Sequence, residues 1–292
     1  MLQRNFLEKL SAELSNLLRN SITIEKVKQV HGGDINETFV LFTSKGNYFL
    51  KVNSHTHQDM FQKEFNGLQT LQGTNTVCIP RPISCGSFDS VIFLVMEHIE
   101  KGNPAKDFWQ QFAIGLAEVH SKTQSQFGFK EDNYIGSLSQ QNKLIDEWPE
   151  FYTTQRVMPL VKRAYARKRL TKEDVLNAER LCNRFPELFP PEKPALLHGD
   201  LWSGNFMVNG KGKPVIYDPA IYFGYREMDI AMTKLFGGFD KSFYNYYHEM
   251  FPLQKGWEER ISLCQLYPLF VHLILFGGHY YYSAMTIIKS FL

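Results

Sequence analysis

Asp200 and Asn205 stand five positions apart in LLHGDLWSGNFMV (residues 196–208), where a glycine-containing loop separates two apolar runs. A carboxylate held in such a loop can accept the proton of an attacking hydroxyl. An amide oxygen is a hard donor suited to Mg²⁺. Thirteen residues after Asn205, the apolar run VIYDPA carries Asp218, a second hard oxygen ligand. His198 reads as a brace for the loop through hydrogen bonds rather than as a reacting group.

Three upstream features fit the same chemistry. VHGGDINET places Gly32 and Gly33 in a turn between two strand-like runs. Without side chains, their N–H groups can approach phosphate oxygens closely, although a Gly-Gly turn is usually only a turn. Lys51, in YFLKVN, follows Gly33 by 18 residues. By itself it reads as the outward position of an edge strand. Glu64 lies on the next helix, where a glutamate is ordinarily a surface residue. In protein kinases such a lysine and glutamate pair, and the lysine meets the α- and β-phosphates. The five-residue step from Asp200 to Asn205 is that of the kinase catalytic loop, and Asp218 stands where a kinase has its metal-bridging aspartate. Pro219 and Ala220 replace the Phe-Gly that follows it there. Together, in this order, the five features point to phosphoryl transfer.

The elements needed to hold them are legible in the periodicity. Phe6, Leu7, Leu10, Leu14, Leu17 and Leu18 recur at helical spacing. ITIEKVKQV, TFVLFTS and NYFLKVN read as strands, and HQDMFQKEFNGLQTL as a helix with Phe61, Phe65 and Leu68 on one face. Two more strands follow within IPRPISCGSFDSVIFLVMEHI. A loop at Gly102, Asn103 and Pro104 leads to a helix beginning near Asp107. Beyond it the pattern is mainly helical, apart from the short apolar runs around Asp200. The expectation is an α+β bilobal fold: a β-rich N-terminal lobe over residues 1–98 and a larger helical lobe over 99–292, with a ligand between them.

Net charge is +2, and the densest basic run, KRAYARKR, reads as a solvated helix face, so nucleic acid is not an expected partner. Cys78, Cys85, Cys182 and Cys264 lack close metal-ligand spacing and read as reduced thiols of a cytoplasmic protein. The N-terminus lacks the apolar run of a signal peptide. LFVHLILFGGHYYYSAM, broken by His272, Gly277, Gly278 and His279, reads as one buried helix rather than a membrane span. The 24 Phe and 14 Tyr suggest a large core and a pocket for a ring-bearing ligand, with the core taking most of them.

LLHGDLWSGN followed by YDPAIYFGYREMDIAMTKLFGGF resembles the signature of the fructosamine-3-kinase family, the ketosamine or ribulosamine kinases. VIFLVMEHI and FYNYYHEMFPLQKGWEERISLCQLYPL resemble it too, so the likeness runs from about His31 to the C-terminus. The bare HGD…N…D pattern is shared with aminoglycoside phosphotransferases and choline kinases. The resemblance implies a protein-kinase-like fold, ATP and Mg²⁺, and phosphorylation of the sugar 3-hydroxyl of a small-molecule or protein-bound ketosamine, which then falls apart and frees its amine. It also implies roles: Lys51 and Glu64 anchor phosphate, Asp200 is the base, and Asn205 and Asp218 hold the metal. Met96, Glu97 and His98 line the adenine, and Trp202 shapes the acceptor pocket or packs between the lobes. Glu227 reaches substrate and Arg226 pairs with acids of the catalytic loop, while Asp229, ahead of an apolar helix, reads as its N-terminal cap or a first-turn acid.

Two departures from the family pattern stand out. The glycine-rich loop reads Gly32-Gly33-Asp34 and lacks the cysteine that many eukaryotic members carry. GSLSQQN has Ser139 where the family has proline. An aminoglycoside- or choline-type phosphotransferase stays open as the alternative, and composition says nothing of the preferred sugar or of oligomeric state.

Overall fold

The computed structural model describes residues 2–30, 36–54 and 59–292. The N-terminal periodicity becomes α1 (Arg4–Leu18), with Phe6, Leu10 and Leu14 buried and Leu17 exposed. An antiparallel sheet follows: β1 (Ile24–Val30), β2 (Glu37–Thr43) and β3 (Gly46–Ser54), then α2 (Met60–Gln72), β4 (Pro82–Phe88) and β5 (Val91–Glu97). The spatial order is β1-β2-β3-β5-β4.

Strand alternation decides what each residue faces. Leu50 and Val52 of β3 join Phe39, Leu41, Phe93 and Val95 in a cluster with α1. Lys51, between them, must point the other way. β3 lies between β2 and β5 with Leu94 opposite Lys51, so it is a central strand and not an edge. α2 buries Met60, Phe61, Leu68 and Leu71 in a cluster that also holds Ile92, Leu94 and Met96, and Lys51 is only 4% exposed.

After β5 the chain turns mainly helical. α3 (Phe108–His120) starts directly after Asp107. A hairpin, β6 (Asn133–Ile135) and β7 (Leu138–Gln140), precedes α4 (Trp148–Phe151), a π-helical turn (Tyr152–Val157) and α5 (Met158–Ala166). α6 (Lys172–Leu188) opens with a capping box between Thr171 and Asp174. Then come β8 (Ala195–Leu197), β9 (Phe206–Val208), β10 (Pro214–Ile216) and β11 (Tyr222–Gly224), paired β8 with β11 and β9 with β10. Helices α7 (Glu227–Leu235), α8 (Lys241–Met250), α9 (Trp257–Leu275) and α10 (Tyr280–Ser290) complete the chain. This is the α+β arrangement that the patterning implied.

The apolar C-terminal segment departs from its expectation of one buried helix. α9 stops at Leu275, Gly277 and Gly278 take φ of 73° and 69°, and a separate α10 begins at Tyr280. Left-handed backbone at two successive glycines reverses the chain cheaply. Among the described residues no helix is long and apolar enough to cross a membrane. Many aromatics serve the core: Phe112 of α3 meets Phe243 of α8 at 5.5 Å and Phe206 at 5.2 Å. The KRAYARKR run is exposed except at Ala164.

Candidate active site

Lys51, Glu64, Asp200, Asn205 and Asp218, from four separate segments, line one cleft of about 840 Å³ between the sheet and the helical region. Met96, Glu97 and His98 line the same cleft where β5 ends, and Ile99 continues that wall. The Glu97 N–H donates to the Arg81 carbonyl at 2.8 Å, which fixes the strand end. Gly32, Gly33 and Asp34 lie outside the described residues.

A three-charge cluster sits at the cleft's centre. Lys51 Nζ donates to Glu64 Oε1 at 2.7 Å and to Asp218 Oδ1 on its other side. Burial works against the Lys51 ammonium, but the Asp218 and Glu64 carboxylates outweigh it and hold the lysine above its ordinary pKa. Burial pushes Glu64 up, with Lys51 opposing and Asp218 adding to the rise. Burial would also raise Asp218, yet contact with Lys51 keeps it below the usual range. Asp218 takes φ 58°, a left-handed conformation that aspartate tolerates better than most side chains.

The loop carrying Asp200 depends on two glycines. A side chain on Gly199 (φ 82°) would overlap the Ala220 carbonyl, and one on Gly204 would overlap the Trp202 ring. The Asp200 N–H donates to His198 Nδ1 at 3.3 Å, so His198 Nε2 carries the proton that it gives to the Tyr217 carbonyl at 2.9 Å. Burial lowers the His198 pKa and favours this neutral form. His198 therefore braces the loop, as its sequence context implied. The Tyr217 hydroxyl donates to the Gly204 carbonyl at 2.9 Å and closes the loop from the other end. Burial, then the neighbouring Asp218 charge, pushes Asp200 up to about 7.

Asn205 Nδ2 donates to the Asp200 carbonyl at 2.8 Å and to Asp200 Oδ2 at 3.0 Å. With its nitrogen spent there, the amide offers Oδ1 to a cation. Asn205 and Asp218 thus supply two oxygen donors beside Asp200. That fits Mg²⁺, which keeps several waters and takes the rest of its shell from phosphate.

Glu227 and Arg226 behave differently from their expectation. Glu227 does not line the cleft. It is 0% exposed, and its carboxylate is taken by Arg260 at 2.6 and 3.0 Å. A buried carboxylate already paired in this way has no reach toward substrate. Arg226 pairs with Glu192, ahead of β8, and donates to the Phe251 carbonyl at 2.6 Å, so it does not meet the catalytic-loop acids. Asp229 lies in the first turn of α7, one of its two expected places, and its carboxylate also serves the catalytic loop, accepting from the His198 N–H at 2.7 Å and the Gly199 N–H at 2.9 Å.

Trp202 is half-buried. It lines the cleft and also meets Phe236, just past α7, edge-on at 5.8 Å. Phe236, His272, Phe276 and Tyr280 extend this aromatic wall; aromatic content alone hinted at such a pocket, and which rings form it depends on the Gly277-Gly278 break that turns α10 back. Ser139 is exposed on β7 opposite Tyr134. The hairpin forms without proline, and its Asn133, Ile135 and Gly136 line the cleft.

The family profile described as Fructosamine kinase matches residues 6–292. A protein of Enterococcus faecium named a probable ketoamine kinase is 38% identical over 268 residues, covering 91% of this chain and 95% of its own. The protein-ribulosamine 3-kinase of Arabidopsis thaliana is 36% identical over 275 residues, covering 92% and 83%. A crystal structure of a candidate fructosamine-3-kinase from Thermobifida fusca superposes with a TM-score of 0.84 at 31% identity, over 96% of this chain and 97% of that one. An aminoglycoside phosphotransferase superposes with a TM-score of 0.66 at 15% identity, over 97% and 98%, and shares the protein-kinase-like fold.

Proposed function

The chain belongs to the fructosamine kinase family, and from that premise we propose that it transfers the γ-phosphoryl group of ATP to the sugar 3-hydroxyl of a ketosamine. The observation that carries this reading is the convergence of Lys51, Glu64, Asp200, Asn205 and Asp218 on one cleft.

In the reaction, the sugar hydroxyl oxygen bonds to the γ-phosphorus as the bond to the β–γ bridging oxygen breaks, and ADP leaves. Asp200 accepts the hydroxyl proton. Its raised pKa of about 7 matches a base working near neutrality. Lys51, positioned by Glu64, holds the α- and β-phosphates. Asn205 and Asp218 would hold Mg²⁺, which neutralises charge on the β- and γ-phosphate oxygens. The chain's main contribution is to orient the reactants and stabilise charge. Adenine would lie against the residues 96–98.

The acceptor would lie beside Trp202, whose indole offers a face for sugar C–H groups. The wall there is largely apolar and aromatic, with Phe236, Val271, His272, Leu275, Phe276 and Tyr280 beside Asp200. That lining suits a ketosamine better than a polycationic aminoglycoside, which calls for several carboxylates. The 3-phosphate destabilises the adduct, which frees its amine, so the cellular role is deglycation. The four free cysteines fit a reducing, cytoplasmic setting.

The test is ADP release with Mg·ATP and a ribulosyl-amine, run beside a fructosyl-amine, kanamycin and choline. Turnover confined to the sugar-amines supports the reading, and their ratio names the preferred sugar. Activity on kanamycin or choline alone would overturn the acceptor assignment.

A further inference from the structure

Arg156 is a buried cation with no part in the chemistry above. It is 0% exposed, and no carboxylate among the described residues pairs with it. It sits on the π-helical turn, a rare geometry that recurs at functional sites. Its guanidinium lies 4.0 Å from the Tyr222 ring centroid and 4.7 Å from that of Phe151. Nη1 donates to the Gln141 carbonyl and, at 3.1 Å, to that of Gln155. Nη2 donates to Asn142 Oδ1 at 2.7 Å.

A guanidinium has donors only, so it dictates the sense of every amide that follows. Asn142 must turn its oxygen to Arg156, and its Nδ2 then donates to Asn133 Oδ1 at 2.9 Å. Asn133 Nδ2 in turn donates to the Ile221 carbonyl at 2.8 Å. A second branch starts at the Tyr267 hydroxyl, which donates to Gln140 Oε1 at 2.7 Å. Gln140 Nε2 is thereby aimed at Asn133 Oδ1, at 2.7 Å, and at the Ala220 carbonyl, at 3.0 Å. All five side chains belong to residues at most 6% exposed.

Both branches end on carbonyls two and three residues past Asp218. Pro219 has no N–H to anchor the segment, and the Ala220 N–H goes to the His198 carbonyl at 2.9 Å. The two donated bonds therefore hold the backbone just downstream of the left-handed Asp218.

We infer that Arg156, Asn142, Asn133, Gln140 and Tyr267 are positioning residues, forming a one-way hydrogen-bond relay that sets where the Asp218 carboxylate stands and so how tightly the site takes a metal–nucleotide complex. The inference rests on Asp218 being a metal ligand. It differs from simple core stabilisation because the relay's output is metal affinity.

The experiment compares the parent with Tyr267→Phe, Arg156→Met and Asp218→Asn. Mn²⁺ binding in the presence of ATP is read by electron paramagnetic resonance, beside thermal melting, kcat and acceptor KM. Tyr267→Phe removes a single hydroxyl and keeps the ring, so it guards against an Arg156→Met protein that fails to fold. The relay predicts about a tenfold weaker Mn²⁺ affinity in Tyr267→Phe, the lower end of what outer-shell changes cost. It also predicts a lowered kcat and an unchanged acceptor KM. A Tyr267→Phe protein that melts earlier but binds Mn²⁺ and turns over like the parent overturns the relay. If Asp218→Asn itself binds Mn²⁺ like the parent, the metal-ligand reading falls and the relay with it. If Asp218→Asn is weakened and Tyr267→Phe is not, the relay alone falls.

Discussion

Asp229, in the first turn of α7, accepts the backbone N–H of His198 at 2.7 Å, across 31 residues of chain. The same carboxylate takes the Gly199 N–H at 2.9 Å and pairs with His120 Nε2 at 3.1 Å. Its tie to α7 fixes the backbone immediately before Asp200. Burial would raise the Asp229 pKa, but the hydrogen bond and charge of His120 hold it below the ordinary value. A depressed native pKa contributes stability that is present above the unfolded carboxylate pKa, about 3.9, and is lost as pH falls through the native value. Asp229→Asn should cost about 1–3 kcal/mol near neutrality. The difference from the parent should shrink below about pH 4, as read by melting curves against pH.

Asp200→Asn should lower kcat by about 10²–10⁴ while ATP binding stays near the parent's. Stability should move the other way. Asp200 titrates near 7 in the native protein against 3.8 ordinarily. A raised native pKa means that stability is greatest at low pH and is lost as pH rises through this interval. The neutral amide escapes that loss, so Asp200→Asn should melt higher than the parent at pH above about 7, and the gain should fade toward about pH 4. Equal melting of the two proteins at high pH would contradict the raised pKa.

Lys51→Met should abolish measurable turnover and also destabilise the fold, by about 3–5 kcal/mol, because Glu64 and Asp218 would face each other without their shared cation. Adding Glu64→Gln to Lys51→Met should restore much of the melting temperature and none of the activity. Recovery of activity in the double variant would remove Lys51 from the site.

Glu227→Gln should lower the melting temperature, because Arg260 keeps its charge without the carboxylate that it forks onto. Burial, which pushes Glu227 up to about 7, should make the loss smaller than for a fully charged pair, with acceptor KM unchanged. The measurement separates a structural ion pair from a substrate contact, since a contact would raise KM in a protein of parental stability.

Trp202→Ala should raise acceptor KM about tenfold or more, a loss typical of one aromatic contact, and leave the KM for ATP alone. An equal rise in both would assign the ring to packing of the cleft rather than to the acceptor.

The sequence by itself determined the local facts. The five-position step from Asp200 to Asn205 places both on one short loop, because that separation is too small to be redistributed by packing. Period-two alternation opposes Lys51 to Leu50 and Val52 in any strand that contains them. Helical spacing around Phe61 and Leu68 put Glu64 on an element that follows β3 directly. Tertiary structure decided the meetings between distant segments. Lys51 reaches Asp218 across 167 residues, and Tyr267 reaches Gln140 across 127. Whether Lys51 was an outward or a buried lysine depended on β5 pairing beside β3, and that register is not written in β3. Glu227 and Asp229, two positions apart, carry opposite assignments because one side chain meets Arg260 and the other the His198 backbone. Periodicity fixes which face a side chain takes, and only long-range packing decides what waits on that face.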